Sequence, residues 1–267
     1  MATFYSHDGR RTKYRLAAAI FFLFAVGFVF ADEAPNKKFA ARDEAAFLRA
    51  QSQFQSASDN PTNVWQFARA CYDYADFATN DTQRAAIAVQ GIAACRHLIA
   101  RDPKSAPAHY YLGMNLGQLA RTELIGALIL VKEMEREFKT AETLDEHFDF
   151  GGSAHNLGLL YRDAPGWPAS IGNKRKARDW LERAVKLAPD YPENRLTLAE
   201  SYLQWLDPAR SKLELNALDA LWSKAQTNFT GEVWEQSWDA WSTRCVAARQ
   251  KLAEISMPQK PAKSRRN

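Results

Sequence analysis

Along most of the chain, large apolar residues return every three or four positions, with small residues set between them. The stretch ARDWLERAVKLAPDYPENRLTLAESY, residues 177 to 202, shows the pattern in full. Ala177, Leu181 and Ala184 share one helical face, and Pro189 stops that helix. Leu198, Ala199 and Tyr202 then open the next one. Upstream, HYYLGMNL gives Leu112, Gly113 and Leu116, and AHNLGLLY gives Leu157, Gly158 and Tyr161. A weaker copy, VWQFARACYDYA, places Trp65, Ala68 and Tyr72. The helices that follow also end alike: Gly91, Cys95, Leu98 and Pro103, then Met134, Phe138, Ala141 and Glu146, then Ala177, Leu181, Ala184 and Pro189. The stop positions 103, 146 and 189 stand 43 residues apart, twice over.

Small residues are needed where two antiparallel helices meet closely, large apolar ones fill the space beside them, and a proline ends the second helix. That is the grammar of a tetratricopeptide repeat. It predicts an all-α fold, a right-handed superhelix of about four helical hairpins with a C-terminal capping helix. The expected divisions are 1–31, a signal peptide; 32–60, an extension with a short helix; 61–257, the repeats; and 258–267, a basic disordered tail. The period is longer than the usual 34 or so residues. The third repeat places extra residues in the Pro- and Gly-punctuated loop RDAPGWPASIGNKRK, 162 to 176. The second is expected to lengthen its second helix, from Thr122 to about His147.

Charge alters this picture at the ends. The net +4 is the sum of +3 over residues 1–31, +4 from Pro258 onward, and −3 for the body between them. A nucleic-acid-binding domain would carry its positive charge on the folded face that meets phosphate, so nucleic acid is excluded as a partner. The N-terminal RRTKYR and the apolar run Leu16 to Phe30 read as a signal peptide, with Val29 and Ala31 before the cut and Asp32 after it. The protein is therefore expected in the periplasm or otherwise exported. The alternative is an uncleaved anchor in the inner membrane, which would be the chain's one membrane contact. Cys71, Cys95 and Cys245 are too few and too scattered for a disulfide framework. They read as small buried hydrophobes, with a Cys71–Cys95 bond left open.

Candidate chemistry is sparse. DEHFDFGGSAH collects Asp145, Glu146, His147, Asp149 and His155. A zinc helix would place its two His four apart, whereas these are eight apart with Gly151 and Gly152 between them. The stretch reads as a helix end and turn. No catalytic residue, metal or cofactor is assigned. Trp222, Trp234, Trp238 and Trp241 crowd the C-terminal helices, and Trp234, Trp238 and Trp241 share a helix face that reads as the stripe of a capping helix, the alternative being an aromatic partner-binding surface. The loop at 162–176 is the candidate site. Trp167 offers apolar contact, or else plugs the hairpin. Lys174, Arg175 and Lys176 offer charge to acidic groups, and Gly166 and Pro168 shape the loop. Tyr161 at its base is a packing aromatic.

With FDFGGSAHNLGLLYRDAP followed by KARDWLERAVKLAPDYPENRLTLAESYL, the chain resembles the TatT family, the tetratricopeptide-like components associated with TRAP-type transporters, over roughly residues 60–230. The resemblance implies an exported helical protein that assembles with a periplasmic solute-binding component and encloses an apolar channel. Many members look like lipoproteins, and this chain has no cysteine near the expected cut. A looser similarity, through WQFARACYD, is to eukaryotic regulators of microtubule dynamics, and the secretory-type N-terminus argues against it. Three function classes follow: an envelope interaction module binding a protein partner and an apolar ligand, a generic envelope assembly scaffold unrelated to transport, and, on the acid–His cluster alone, a metal-dependent enzyme.

Overall fold

The computed structural model describes residues 37–123 and 126–256. The segment expected to be a signal peptide and the basic tail lie outside them. The described residues form ten α-helices and no strand. They are α1 (Lys37–Ser56), α2 (Pro61–Ala75), α3 (Asp81–Arg101), α4 (Ala106–Ala120), α5 (Ala127–Leu144), α6 (Phe148–Asp163), α7 (Lys174–Leu187), α8 (Pro192–Gln204), α9 (Pro208–Asn228) and α10 (Glu235–Ser256), with a 3₁₀ turn at Glu232–Trp234 before the last. Helices α2/α3, α4/α5, α6/α7 and α8/α9 pair as hairpins, giving a tetratricopeptide-like superhelix.

The small positions are where the hairpins close. A Cβ on Gly113 would lie 2.6 Å from the Phe138 ring, and one on Gly158 would lie 2.5 Å from Leu181. Neither helix pair could approach so closely with a larger residue. Leu157, Ala177, Leu181, Ala184 and Ala199 are fully buried, and Leu112, Tyr161, Leu198 and Tyr202 nearly so. Helices α3, α5 and α7 end at Arg101, Leu144 and Leu187, each two residues before a stop position. Helix starts are marked by Asn60, Asn80, Asn173 and Asp207, whose side chains accept from first-turn backbone N–H groups. Pro61, Pro192 and Pro208 pre-set the helical φ at the first position.

The second repeat departs from expectation. Its second helix runs only from Ala127 to Leu144, not from Thr122 to His147. Helix α4 is capped at Arg121, and the Thr122 hydroxyl donates back to the Leu119 carbonyl. His147 lies beyond the far end, where the Asp145 carboxylate accepts from its backbone N–H. The residues from Thr122 to Gly126 therefore belong to the α4–α5 connection.

Helix α1 lays one face on the first hairpin, where Phe54 stacks on Phe67 at 5.0 Å and Phe47 tilts against Phe67 and Tyr74. Near its start, Arg42 donates to the Gln236 side chain (2.5 Å) and to the Glu232 carbonyl (3.4 Å), which ties the first helix to the last. Helix α10 caps the repeats. Trp241 is 1% exposed and donates its indole N–H to Glu193, while Trp238 donates to the Phe229 carbonyl. The stripe of tryptophans thus faces inward. Cys71 and Cys95 are buried free thiols on α2 and α3; burial pushes both thiol pKa values up.

Candidate functional site

Successive helices run in opposite directions, so the α6–α7 and α8–α9 connections lie at the same edge of the repeats. The first, Ala164 to Asn173, is ordered by its own backbone. Ala169 and Ser170 donate to the Gly166 carbonyl, Gly172 donates to Pro165, and Asn173 donates to Tyr161. On this frame Trp167 is 88% exposed. It plugs nothing. Leu206, in the second connection, is 75% exposed and has a φ of 58°, a conformation that a leucine adopts only under strain.

Beside the second connection lies a cleft of about 370 Å³, lined by Lys174, Arg175 and Arg178 of α7, Tyr202 and Trp205 from the end of α8, and Asp207 and Arg210 from the start of α9. The Lys174 ammonium lies 5.7 Å from the Trp205 ring centre, and the Arg210 guanidinium is equally far from that of Tyr202. The Tyr202 hydroxyl donates to Glu182 at 2.8 Å. Its pKa is pushed up by burial and by that carboxylate. Arg178 meets only Asp179 and Glu182 of its own helix, at 3.9 and 4.0 Å. Arg210 meets Asp207 at 3.6 Å, and Arg175 has no ion partner among the described residues.

The Lys174–Lys176 triplet does not act as a unit. Lys174 and Arg175 line the cleft, but Lys176 turns onto the Tyr161 ring at 5.0 Å. Tyr161 is 1% exposed and donates to Glu135. Burial raises the carboxyl pKa of Glu135, but hydrogen bonds from Lys139 and Tyr161 outweigh that and lower it. Arg178, Trp205, Asp207 and Arg210 join the site from elements that local spacing does not connect to the loop.

The acid–His stretch is dispersed. At the start of α6, Asp149, Phe150 and Gly151 take φ values of 52°, 58° and 74°. Two of these are not glycine, so the bend is strained. It is held because Asp149 accepts the Tyr110 hydroxyl (2.7 Å), the Phe150 carbonyl accepts from Asn194 (3.0 Å), and the Phe150 ring stacks on Tyr191 at 4.5 Å. Glu146 pairs with Arg183. His155 faces Asn194 at 3.0 Å, and burial lowers its pKa. Asp73 of α2 pairs with Arg69 at 3.5 Å and keeps 43% of its side chain exposed. Partial desolvation by the surrounding protein pushes its pKa up to about 7, with Arg69 opposing and Asp43, Asp76 and Asp149 adding to the rise.

A family model described as "Regulator of microtubule dynamics protein 1-3" matches residues 31–148. This is less than half of the chain, and it ends before the loop and the cleft. The looser of the two resemblances is therefore the one a family model supports; nothing found supports the TatT family specifically. No curated protein matches. Among solved structures, TTC0263, a thermophilic tetratricopeptide-repeat protein of Thermus thermophilus, is 18% identical with a TM-score of 0.54, covering 88% of this chain and 96% of its own. MamA is 14% identical with a TM-score of 0.48, over 73% of this chain and 98% of its own. At such identities the likeness to TTC0263 shows the fold alone: a tetratricopeptide-like helical repeat protein.

Proposed function

We propose that the chain is an interaction scaffold of the bacterial envelope, without a catalytic centre, that docks a protein partner at the edge formed by the α6–α7 and α8–α9 connections. Trp167 carries this reading: its indole stands in water on a loop that is already ordered. Aromatic anchors dominate interface energies, and an ordered loop loses little freedom on binding. Lys174 and Arg175 add charge at the start of α7, where the loop ends, while Gly166 gives the loop its turn. In line with the TatT resemblance, the partner is a periplasmic solute-binding component and the complex carries an apolar ligand. The basic and apolar N-terminal segment supports export, or anchoring where it is retained. Among the described residues, no helix is long and apolar enough to cross a membrane.

Affinity capture from periplasmic extract tests the reading. Recovery of a solute-binding protein that is lost with Trp167→Ala supports it. Equal recovery with both forms contradicts the assignment of Trp167. A second reading rests on the family match, in which residues 31–148 act on microtubule dynamics as that family's name states. Cosedimentation with polymerised tubulin tests it, and a chain that stays in the supernatant removes it.

A further inference from the structure

We infer that the cleft between α7, α8 and α9 seats an extended acidic segment of the partner, with carboxylates on alternate residues. The inference rests on the docking reading above and specifies the partner's chemistry. Three cations of one helix, Lys174, Arg175 and Arg178, form one wall, and Arg210 of α9 stands on another. Their charge is met only in part within the chain: Arg210 pairs with Asp207 at 3.6 Å, and the Lys174 ammonium donates to the Trp205 carbonyl at 3.4 Å. Arg175 has no ion partner among the described residues, and those of Arg178 lie no nearer than 3.9 Å. At the α7 start, Asn173 accepts from the Lys176 N–H, which leaves the first-turn amides before it to add positive potential.

The layout selects among anions. Lys174 and Arg178 are one helical turn apart, a rise of about 6 Å. Side chains two apart on an extended chain are separated by about 6.6 Å. Alternate carboxylates therefore match the wall, whereas a lone phosphate would reach only part of it. The Trp205 ring offers apolar surface to the residue between the carboxylates, and the buried Tyr202 ring backs it at 5.8 Å. Tyr202 is only 4% exposed, so the occupant must be narrow enough to enter a recess. A flat bilayer could not enter the recess and would leave that ring untouched.

Fluorescence anisotropy with the purified full chain tests this, using a labelled peptide GELEWEG and its glutamine counterpart GQLQWQG. The Glu peptide is expected to bind at least about tenfold more tightly than the Gln peptide, with the difference shrinking as salt rises. Arg178→Glu combined with Arg210→Glu should remove the preference, with helicity checked by circular dichroism. The milder Arg178→Gln, which removes the charge and shortens the side chain, should weaken it. Equal binding of the two peptides, or binding of neither, overturns the inference. So does binding of phosphatidylglycerol vesicles that displaces the Glu peptide and is lost with the charge reversal, since lipid would then be the occupant. If the peptides are not distinguished while capture of the native partner still depends on Trp167, the acidic segment is wrong and the docking reading stands. If the peptides are distinguished while capture ignores Trp167, the reverse holds.

Discussion

At the start of α8, Arg244 reaches back from the capping helix to hold Glu193 with paired hydrogen bonds and extends to Glu200 further along, and Trp241 donates its indole N–H to the same Glu193. At the other end of that helix, Tyr202 and Trp205 face Lys174, Arg175, Arg178 and Arg210, whose charges find only distant carboxylates or none among the described residues. Both sets place aromatic rings beside cations. The first set is consumed in joining two elements of the chain, whereas the second remains open to something outside it. Pairing, more than composition, separates architecture from a docking surface.

The comparison breaks first at Trp241. Truncating it to Ala should cost about 3–5 kcal/mol, the usual range for a buried Trp. Chemical denaturation would show this as a lower midpoint, and a cost below about 1 kcal/mol would mean that the cap is not part of the cooperative fold. Arg244→Ala should follow with about 2 kcal/mol. Losing one partner of a buried pair costs about 3–5 kcal/mol, and partial exposure of these side chains reduces that. The same pair predicts a pH dependence. Burial alone would raise the Glu193 pKa, but Arg244 overrides it and holds it near 2, against an ordinary 4.5. Its contribution is complete above the unfolded value and is lost as pH falls from about 4.5 towards 2. In Arg244→Ala that acid-side loss should shrink, and an unchanged acid limb would contradict the pairing.

Asp73 should show the opposite slope. Its folded pKa of about 7 lies above the ordinary 3.8, so the native state holds a proton that the unfolded chain has released. Stability should therefore fall as pH rises through the interval between those values. Asp73→Asn should flatten that slope in denaturation series across the interval. A slope that persists in the variant assigns it to another group.

Much of the fold was legible because it depends on local spacing. The stops at 103, 146 and 189 anticipated helix ends at Arg101, Leu144 and Leu187, and the small residues marked where hairpins close. The start of α5 was not legible. The residues from Thr122 to Gly126 contain good helix formers, and the break comes from the capping of α4, which propensity does not register. The loop drew attention to Trp167, Lys174 and Arg175, but spacing could not choose between a plug and an exposed contact for Trp167, nor show that Lys176 turns to Tyr161. Arg178, Trp205 and Arg210 were invisible as a site because they meet only after α7, α8 and α9 have packed. Tyr202 was readable as a packing aromatic, and its second role as the floor of the cleft needed the third dimension.

The most direct test of the contrast between a satisfied end and an open one is Trp167→Ala, measured for partner affinity and stability on the same preparation. The account predicts that affinity weakens by at least about 1 kcal/mol, as truncated aromatic anchors commonly do, while stability changes by less than about 0.5 kcal/mol, as for exposed positions generally. Loss of the fold with residual binding unchanged would contradict it, because Trp167 would then belong to the architecture and the docking surface would lie elsewhere.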